Sequence, residues 1–267
     1  MPGVTVLVPT CNRHAALAVM LTSLHAQDFS DFDVVIADQS DVDSSGQRSP
    51  LTAVIRVLEA RGIKVSMKRN IPRRGMAQQR QFLLDQSTSE YSLFLDDDLV
   101  LEPYVIRLLE NVLRREDCGF AGSAPIGLSY SEDWRPDEQA VEFWRGPVQP
   151  ERVTPMDPAW QRHKLHNAAN LWHVQREQHA IAADPLRYKV AWVGGCVMYD
   201  TMKLRHAGGF DFWKQLPASH CGEDVLAQLR VAEKFGGCGV MPSGVYHQEL
   251  ETTVPERRVN APHFLNP

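Results

Sequence analysis

The sequence predicts one α/β domain, a mostly parallel sheet flanked by helices, and three observations carry that expectation. Short apolar runs alternate with longer stretches of helical period from residue 4 to about residue 123, the pattern of βα units. Each run closes on a polar or flexible cluster, and open α/β sheets place their ligand crevice outside those strand ends. The composition, 43% hydrophobic and 23% charged over 267 residues, is that of a globular domain able to hold its core without disulfide or structural metal. Disorder, collagen and coiled-coil arrays are excluded. The formal charge of -5 argues against a dedicated nucleic-acid binder.

In chain order, the first strand is expected over residues 4–9, where the apolar run ends at Pro9 and Thr10 or Asn12 can cap a helix over 13–26. The second, 33–38, ends at Asp38 and leads to a helix over 51–61. The third, 63–67, runs into a basic loop, and Gly75 opens a helix over 75–86. The fourth, 91–95, ends at Asp96-Asp97-Asp98, with a helix over 102–115 and a fifth strand over 118–123 behind it. Residues 124–190 break the rhythm with many prolines and with Trp134, Trp144, Trp160 and Trp172. They read as an elaborated loop region that shapes a pocket, with one helix over 160–183. The alternation resumes with a strand over 189–199, helices near 201–207 and 222–235, and a strand around 239–241.

No apolar run approaches the roughly 20 residues of a membrane helix, and the N-terminal residues lack the pattern of a secretory signal. The five cysteines are odd in number, widely spaced and without a CxxC pair, which suits reduced thiols in a cytoplasmic protein. Peripheral membrane contact stays open.

The strongest chemical signal is the Asp96-Asp97-Asp98 triplet after an apolar strand. Adjacent carboxylates raise one another's pKa unless a cation neutralises them, and Mg²⁺ or Mn²⁺ takes one or two carboxylates and fills its sphere with phosphate and water. The bland alternative is an acidic turn before a helix. Pro9-Thr10-Cys11-Asn12-Arg13 opens the first helix, whose amides can meet an anion. GxGxxG and GxxxxGK[ST] are both missing from that turn, against a dinucleotide-binding enzyme and a P-loop NTPase. Lys68, Arg69, Asn70, Arg73, Arg74, Gly75 and Arg80 form a basic edge that can meet a diphosphate or base, or be a solvated loop. In His220-Cys221-Gly222-Glu223-Asp224 two acids open a helix, as its dipole favours and as a catalytic acid pair would. Gly194-Gly195 allow close approach of a ligand or mark a bend, and His247 is a metal ligand or a structural histidine.

As an ordered set these motifs resemble family 2 glycosyltransferases of the GT-A fold, over nearly the whole chain outside residues 124–190. The resemblance implies a Rossmann-like sheet in a single domain, with residues 1–123 as a donor-binding half and 124–267 as an acceptor-binding and catalytic half. It implies transfer of a sugar from a nucleoside-diphosphate sugar, a UDP-sugar, to an acceptor hydroxyl with inversion, using Mn²⁺ or Mg²⁺. Pro9, Thr10, Asn12, Arg13, Asp38, Asn70, Gly75, Arg80, Asp96 and Asp97 then face the nucleotide, with Asp38 on the base. Asp98 and His247 face the metal, though which acids of the triplet hold it stays open. Asp224 becomes the base with Glu223 beside it, and Gly194, Gly195 and Trp213 face the sugar or acceptor, a saccharide, lipid-linked or small molecule. A silent nucleotide- or sugar-binding module, a sugar nucleotidylyltransferase and a metal-dependent phosphohydrolase remain as alternatives.

Overall fold

The computed structural model describes residues 2–42, 49–254 and 257–265. Four parallel strands, β1 (Val4–Thr10), β2 (Phe32–Asp38), β3 (Val65–Arg69) and β4 (Tyr91–Leu95), are linked by α1 (His14–His25), α2 (Pro50–Ala60) and α3 (Met76–Gln86). After the short β5 (Leu99–Leu101), α4 (Val105–Glu116) leads to β6 (Phe120–Gly122). The chain then leaves the sheet and returns through α5 (Asn170–Glu177), β7 (Leu186–Tyr188), β8 (Cys196–Asp200) and α6 (Thr201–His206). It finishes with α7 (Glu223–Phe235), β9 (Gly237–Met241), β10 (Val245–His247) and α8 (Ala261–Leu265).

The main sheet has eight strands in the order β3-β2-β1-β4-β8-β6-β9-β7. β8 and β7 run against their neighbours and the other six strands share one direction, so the predicted mostly parallel sheet is present. Alternate side chains of its buried strands serve opposite faces, as a period of two requires. Val4, Val6 and Val8 enter one core with Leu17, Leu21 and the buried stripe of α4, while Leu7 enters the other with Leu83, Phe210 and Leu226. Ser49 caps α2 by accepting from the Thr52 amide at 3.2 Å, and Asp200 caps α6 by accepting from the Lys203 amide at 2.9 Å.

Four expectations are corrected. The single helix over 160–183 is a 3₁₀ run, Pro158–His166, followed by α5, because Ala168 takes a left-handed φ of 49° that no continuous helix accepts. The strand over 189–199 begins only at Cys196: Gly195 turns at φ 71°, and the edge strand is the earlier β7. The third strand lies two residues later than expected, and the fifth is confined to Phe120–Gly122.

A small ribbon positions the site. β5 pairs antiparallel with β10, setting Leu99 opposite His247, so the residue after the acid triplet meets a histidine from the far end of the chain.

Candidate active site

A cleft of about 550 Å³ opens beyond the carboxyl ends of β1 and β4, walled by the first turns of α3 and α7 and by Leu250, Thr252, Thr253, Val254, Arg257 and Asn260. Ten of the predicted site residues line it: Pro9, Thr10, Arg13, Arg80, Asp96, Asp97, Asp98, Glu223, Asp224 and His247. The acid triplet is fixed by its own backbone and by two guanidiniums. The Asp96 amide donates to the Gly195 carbonyl at 2.9 Å, and its carboxylate accepts from Arg80 Nη2 at 3.1 Å. Asp97 accepts from Thr10 Oγ1 at 2.6 Å and Asp98 from Arg13 Nη1 at 2.6 Å. Arg13 also donates to the Glu251 carbonyl, tying the C-terminal segment across the cleft mouth. Arg80, 6% exposed, spans the cleft floor with its Nε 3.0 Å from Glu223.

Burial and crowding set the electrostatics. Burial lifts Asp96 above the usual carboxylate range despite Arg80, and lifts Asp97 to about 6 with Asp98 adding repulsion. Asp224 rises to about 7, first from burial and then from the Glu223 charge beside it. Among the described residues it has no ion-pair partner, because Arg80 is turned to Asp96 and Glu223. An acid that titrates near neutrality at the wall of a cleft can take up a proton from a bound hydroxyl.

The donor set suits a hard divalent cation by charge. Asp96, Asp97, Asp98, Glu223 and Asp224 are five carboxyl groups against the two guanidiniums paired with them, and a bound cation would favour the ionised form of those that burial has raised. Among the described residues no three histidine, cysteine, aspartate or glutamate side chains already stand at metal-binding spacing. His247 Nε2 lies 3.5 Å from Asp98 Oδ2, but its Nδ1 accepts from the Glu249 amide at 2.7 Å. The neutral ring therefore carries its proton on Nε2, toward Asp98, and ligation through that atom requires Glu249 to let go.

Seven predicted residues lie off the cleft lining: Asn12, Asp38, Asn70, Gly75, Gly194, Gly195 and Trp213. Asp38 is fully buried at the end of β2, accepting from the Ser40 amide at 2.7 Å and from Arg69 at 3.1 Å. Asn12 bonds Asp41 at 2.7 Å beside it, and Asn70 bonds Gln78 at 3.1 Å. Gly195 sits behind Asp96, where a β-carbon would come within 2.7 Å of Pro125. Trp213 packs into the second core, a placement its spacing from Asp224 does not announce. Trp134 stacks on His173, and of all the tryptophans only Trp192 lines the cleft, set against Val225 in a small cluster with Trp160. The sequence reading gave no role to Gln79, to His220 or to the C-terminal wall of Leu250, Thr252, Thr253, Val254, Arg257 and Asn260; of these only His220, the first residue of the His220-Cys221-Gly222-Glu223-Asp224 motif, was within a quoted pattern.

A family model described as glycosyl transferase family 2 matches residues 5–174. The chain belongs to that family. Its match begins in β1 and ends inside α5, so it takes in the acid triplet and stops before Glu223 and Asp224. Over 123 residues the chain is 28% identical to a GalNAc(5)-diNAcBac-PP-undecaprenol beta-1,3-glucosyltransferase of Campylobacter jejuni, which spans 45% of this chain and 37% of that protein. Among solved structures, S. aureus TarS 1-349 superposes with a TM-score of 0.57 at 16% identity, covering 91% of this chain and 60% of TarS 1-349. A Pyrobaculum calidifontis mannosyltransferase in complex with GDP-Man and Mn²⁺ gives 0.52 at 18% identity, covering 89% and 56%. The chain thus spans less than two thirds of the length of each of these relatives, and the fold it shares with the solved ones is GT-A.

Proposed function

We propose that this family 2 glycosyltransferase moves a sugar from a nucleoside-diphosphate sugar, a UDP-sugar, to an acceptor hydroxyl with inversion. The observation that carries the reading is one cleft in which a carboxylate triplet and a near-neutral Asp224 face each other across Arg80. Asp224 takes the acceptor proton as its oxygen attacks the anomeric carbon, and a single carboxylate suffices for one inverting displacement. Glu223 holds Arg80 and keeps Asp224 basic by like-charge repulsion. Pro9, Thr10, Arg13, Asp96 and Asp97 line the diphosphate side, with Asn12, Asn70 and Gly75 supporting it, and Asp38 meets the base at the end of β2. Asp98 holds Mn²⁺ or Mg²⁺, joined by His247 if Glu249 releases it. When bound, the cation neutralises charge on the leaving diphosphate.

Support from relatives runs the same way. TarS structures contain UDP and UDP-GlcNAc, and the mannosyltransferase contains GDP-Man with Mn²⁺. Residues 1–123 hold the donor in this reading and 124–267 the acceptor, with Trp192, Leu250, Thr253, Val254 and Arg257 as the acceptor wall and Gly194 and Gly195 behind it. The acceptor is a saccharide or lipid-linked hydroxyl, the latter suggested by the undecaprenol in the Campylobacter relative's name. No described helix is long and apolar enough to cross a membrane. With all five cysteines free, we place the protein in the cytoplasm. The test is release of nucleoside diphosphate from a panel of nucleotide sugars, with and without Mn²⁺. Release from none of them, or free phosphate without any sugar transfer, refutes the proposal.

A further inference from the structure

His220 lies outside the roles given above, yet it joins the two helices that carry the cleft's charges. Its ring is 1% exposed, and both nitrogens are committed. Nδ1 donates to the Pro217 carbonyl at 2.7 Å, which fixes the neutral tautomer, and Nε2 accepts from the Ala77 amide at 3.1 Å. Ala77 is in the first turn of α3, where amides have no partner within the helix. The N-cap of α3 is Gly75, which has no side chain to cap with. His220 supplies that cap from across the fold. Gly75 stands at φ 96°, and a β-carbon there would come within 2.4 Å of His220 Cε1, so the glycine is what admits the ring.

Arg80 follows Ala77 by three residues on the same face of α3. From there its guanidinium reaches Glu223 at 3.0 Å and Asp96 at 3.1 Å. His220 itself stands three residues ahead of Glu223. The tether therefore fixes the distance between the start of α3 and the start of α7, and with it the Arg80 guanidinium that joins the acid triplet to Glu223.

We infer that His220 is a positioning residue for transfer, a cap supplied in trans to α3 that holds Arg80 between Asp96 and Glu223. It stands at the cleft wall, but at 1% exposure and with both ring nitrogens bonded within the protein it has no polar atom left for a substrate. The inference rests on the proposed glycosyl transfer, and its test separates the two. Hydrogen exchange of the peptide spanning residues 75–82 reads the tether without any activity. Release of UDP from UDP-glucose and UDP-N-acetylglucosamine with Mn²⁺ reads its consequence.

His220→Ala and His220→Asn both remove the acceptor for the Ala77 amide, whereas His220→Gln keeps an oxygen within reach of it. The first two should lose protection over residues 75–82 and lower kcat by up to about 100-fold with a smaller change in donor KM, the scale of a misplaced catalytic group. His220→Gln should restore both. In an Arg80→Lys background, His220→Asn should cost little more, since its effect passes through Arg80. Wild-type kcat in His220→Asn, no rescue by glutamine, or full additivity with Arg80→Lys overturns the inference. If the alanine variant does not fold, the asparagine and glutamine pair carries the comparison. A wild-type protein that turns over no donor refutes the glycosyl transfer instead, while the exchange data still decide the tether.

Discussion

At the scale of single residues the cleft is a set of acids held against their preference. Asp224 is the sharpest case, raised from 3.8 to about 7 by burial and by Glu223. Activity should therefore rise with pH through about 7, and Glu223→Gln should move that limb to lower pH by removing the repulsion. Asp224→Asn should cut transfer by about 10² to 10⁴, the contribution of a placed base, while donor affinity stays near wild type in calorimetry. Stability should change the other way. Between pH 3.8 and about 7 the folded protein keeps a proton on Asp224 that the unfolded chain has released, so this group's contribution is full below that window and lost as pH rises through it. At pH 8 the asparagine variant should melt above wild type, and a lower Tm would show that the carboxylate is held by bonds the geometry does not display. For the metal, Asp98→Ala should abolish Mn²⁺-dependent UDP affinity, and His247→Ala should weaken it less, given the Nδ1 bond to Glu249. Equal losses in calorimetry would make His247 a full ligand. Asp38→Ala should weaken UDP by about 1 to 3 kcal/mol with metal dependence intact, the cost of one removed hydrogen-bonding partner.

At the scale of elements, the strand ends were legible because their logic is local. An apolar run needs only its neighbours to be read, and Thr10, Asp38 and Asp96 to Asp98 all lie where such runs stop. The breaks were harder. Residues 160–183 carry no proline between Pro158 and Pro185, so nothing in the spacing reports the left-handed Ala168 that divides the 3₁₀ run from α5. Gly194-Gly195 were read as either a ligand approach or a bend, and Gly195 is a bend: its φ of 71° starts β8 and turns its carbonyl to the Asp96 amide. Gly195→Ala meets both the left-handed backbone, at about 1 to 2 kcal/mol, and contact with Pro125 at 2.7 Å. It should lower Tm by several degrees and weaken Mn²⁺-dependent UDP binding together. Unchanged UDP affinity in a destabilised variant would mean that Asp96 does not depend on this turn.

At the scale of the whole molecule, the cleft closes only when distant segments meet, so ligand binding should be read by global stability. UDP with Mn²⁺ at about 100 times its Kd should add about 2.7 kcal/mol, or about 5 to 10 °C in Tm for a domain of this size, and neither component alone should match it. Equal shifts with UDP alone would remove the cation from the donor site. The sequence by itself determined the fold class, the βα rhythm of the first 123 residues, the acid triplet and the acid pair before a helix. Each is a pattern carried by residues adjacent in the chain, and the family resemblance added their order. Only tertiary structure decided which of them share a cleft. It put His247 beside Asp98 through the pairing of β5 with β10, and Arg80 between Asp96 and Glu223. It also walled the cleft with Trp192 and residues of the C-terminal segment, leaving Trp213 in the core. Those decisions come from strand register and from helix ends meeting across the sheet, contacts between residues far apart in the chain, and no local period encodes them.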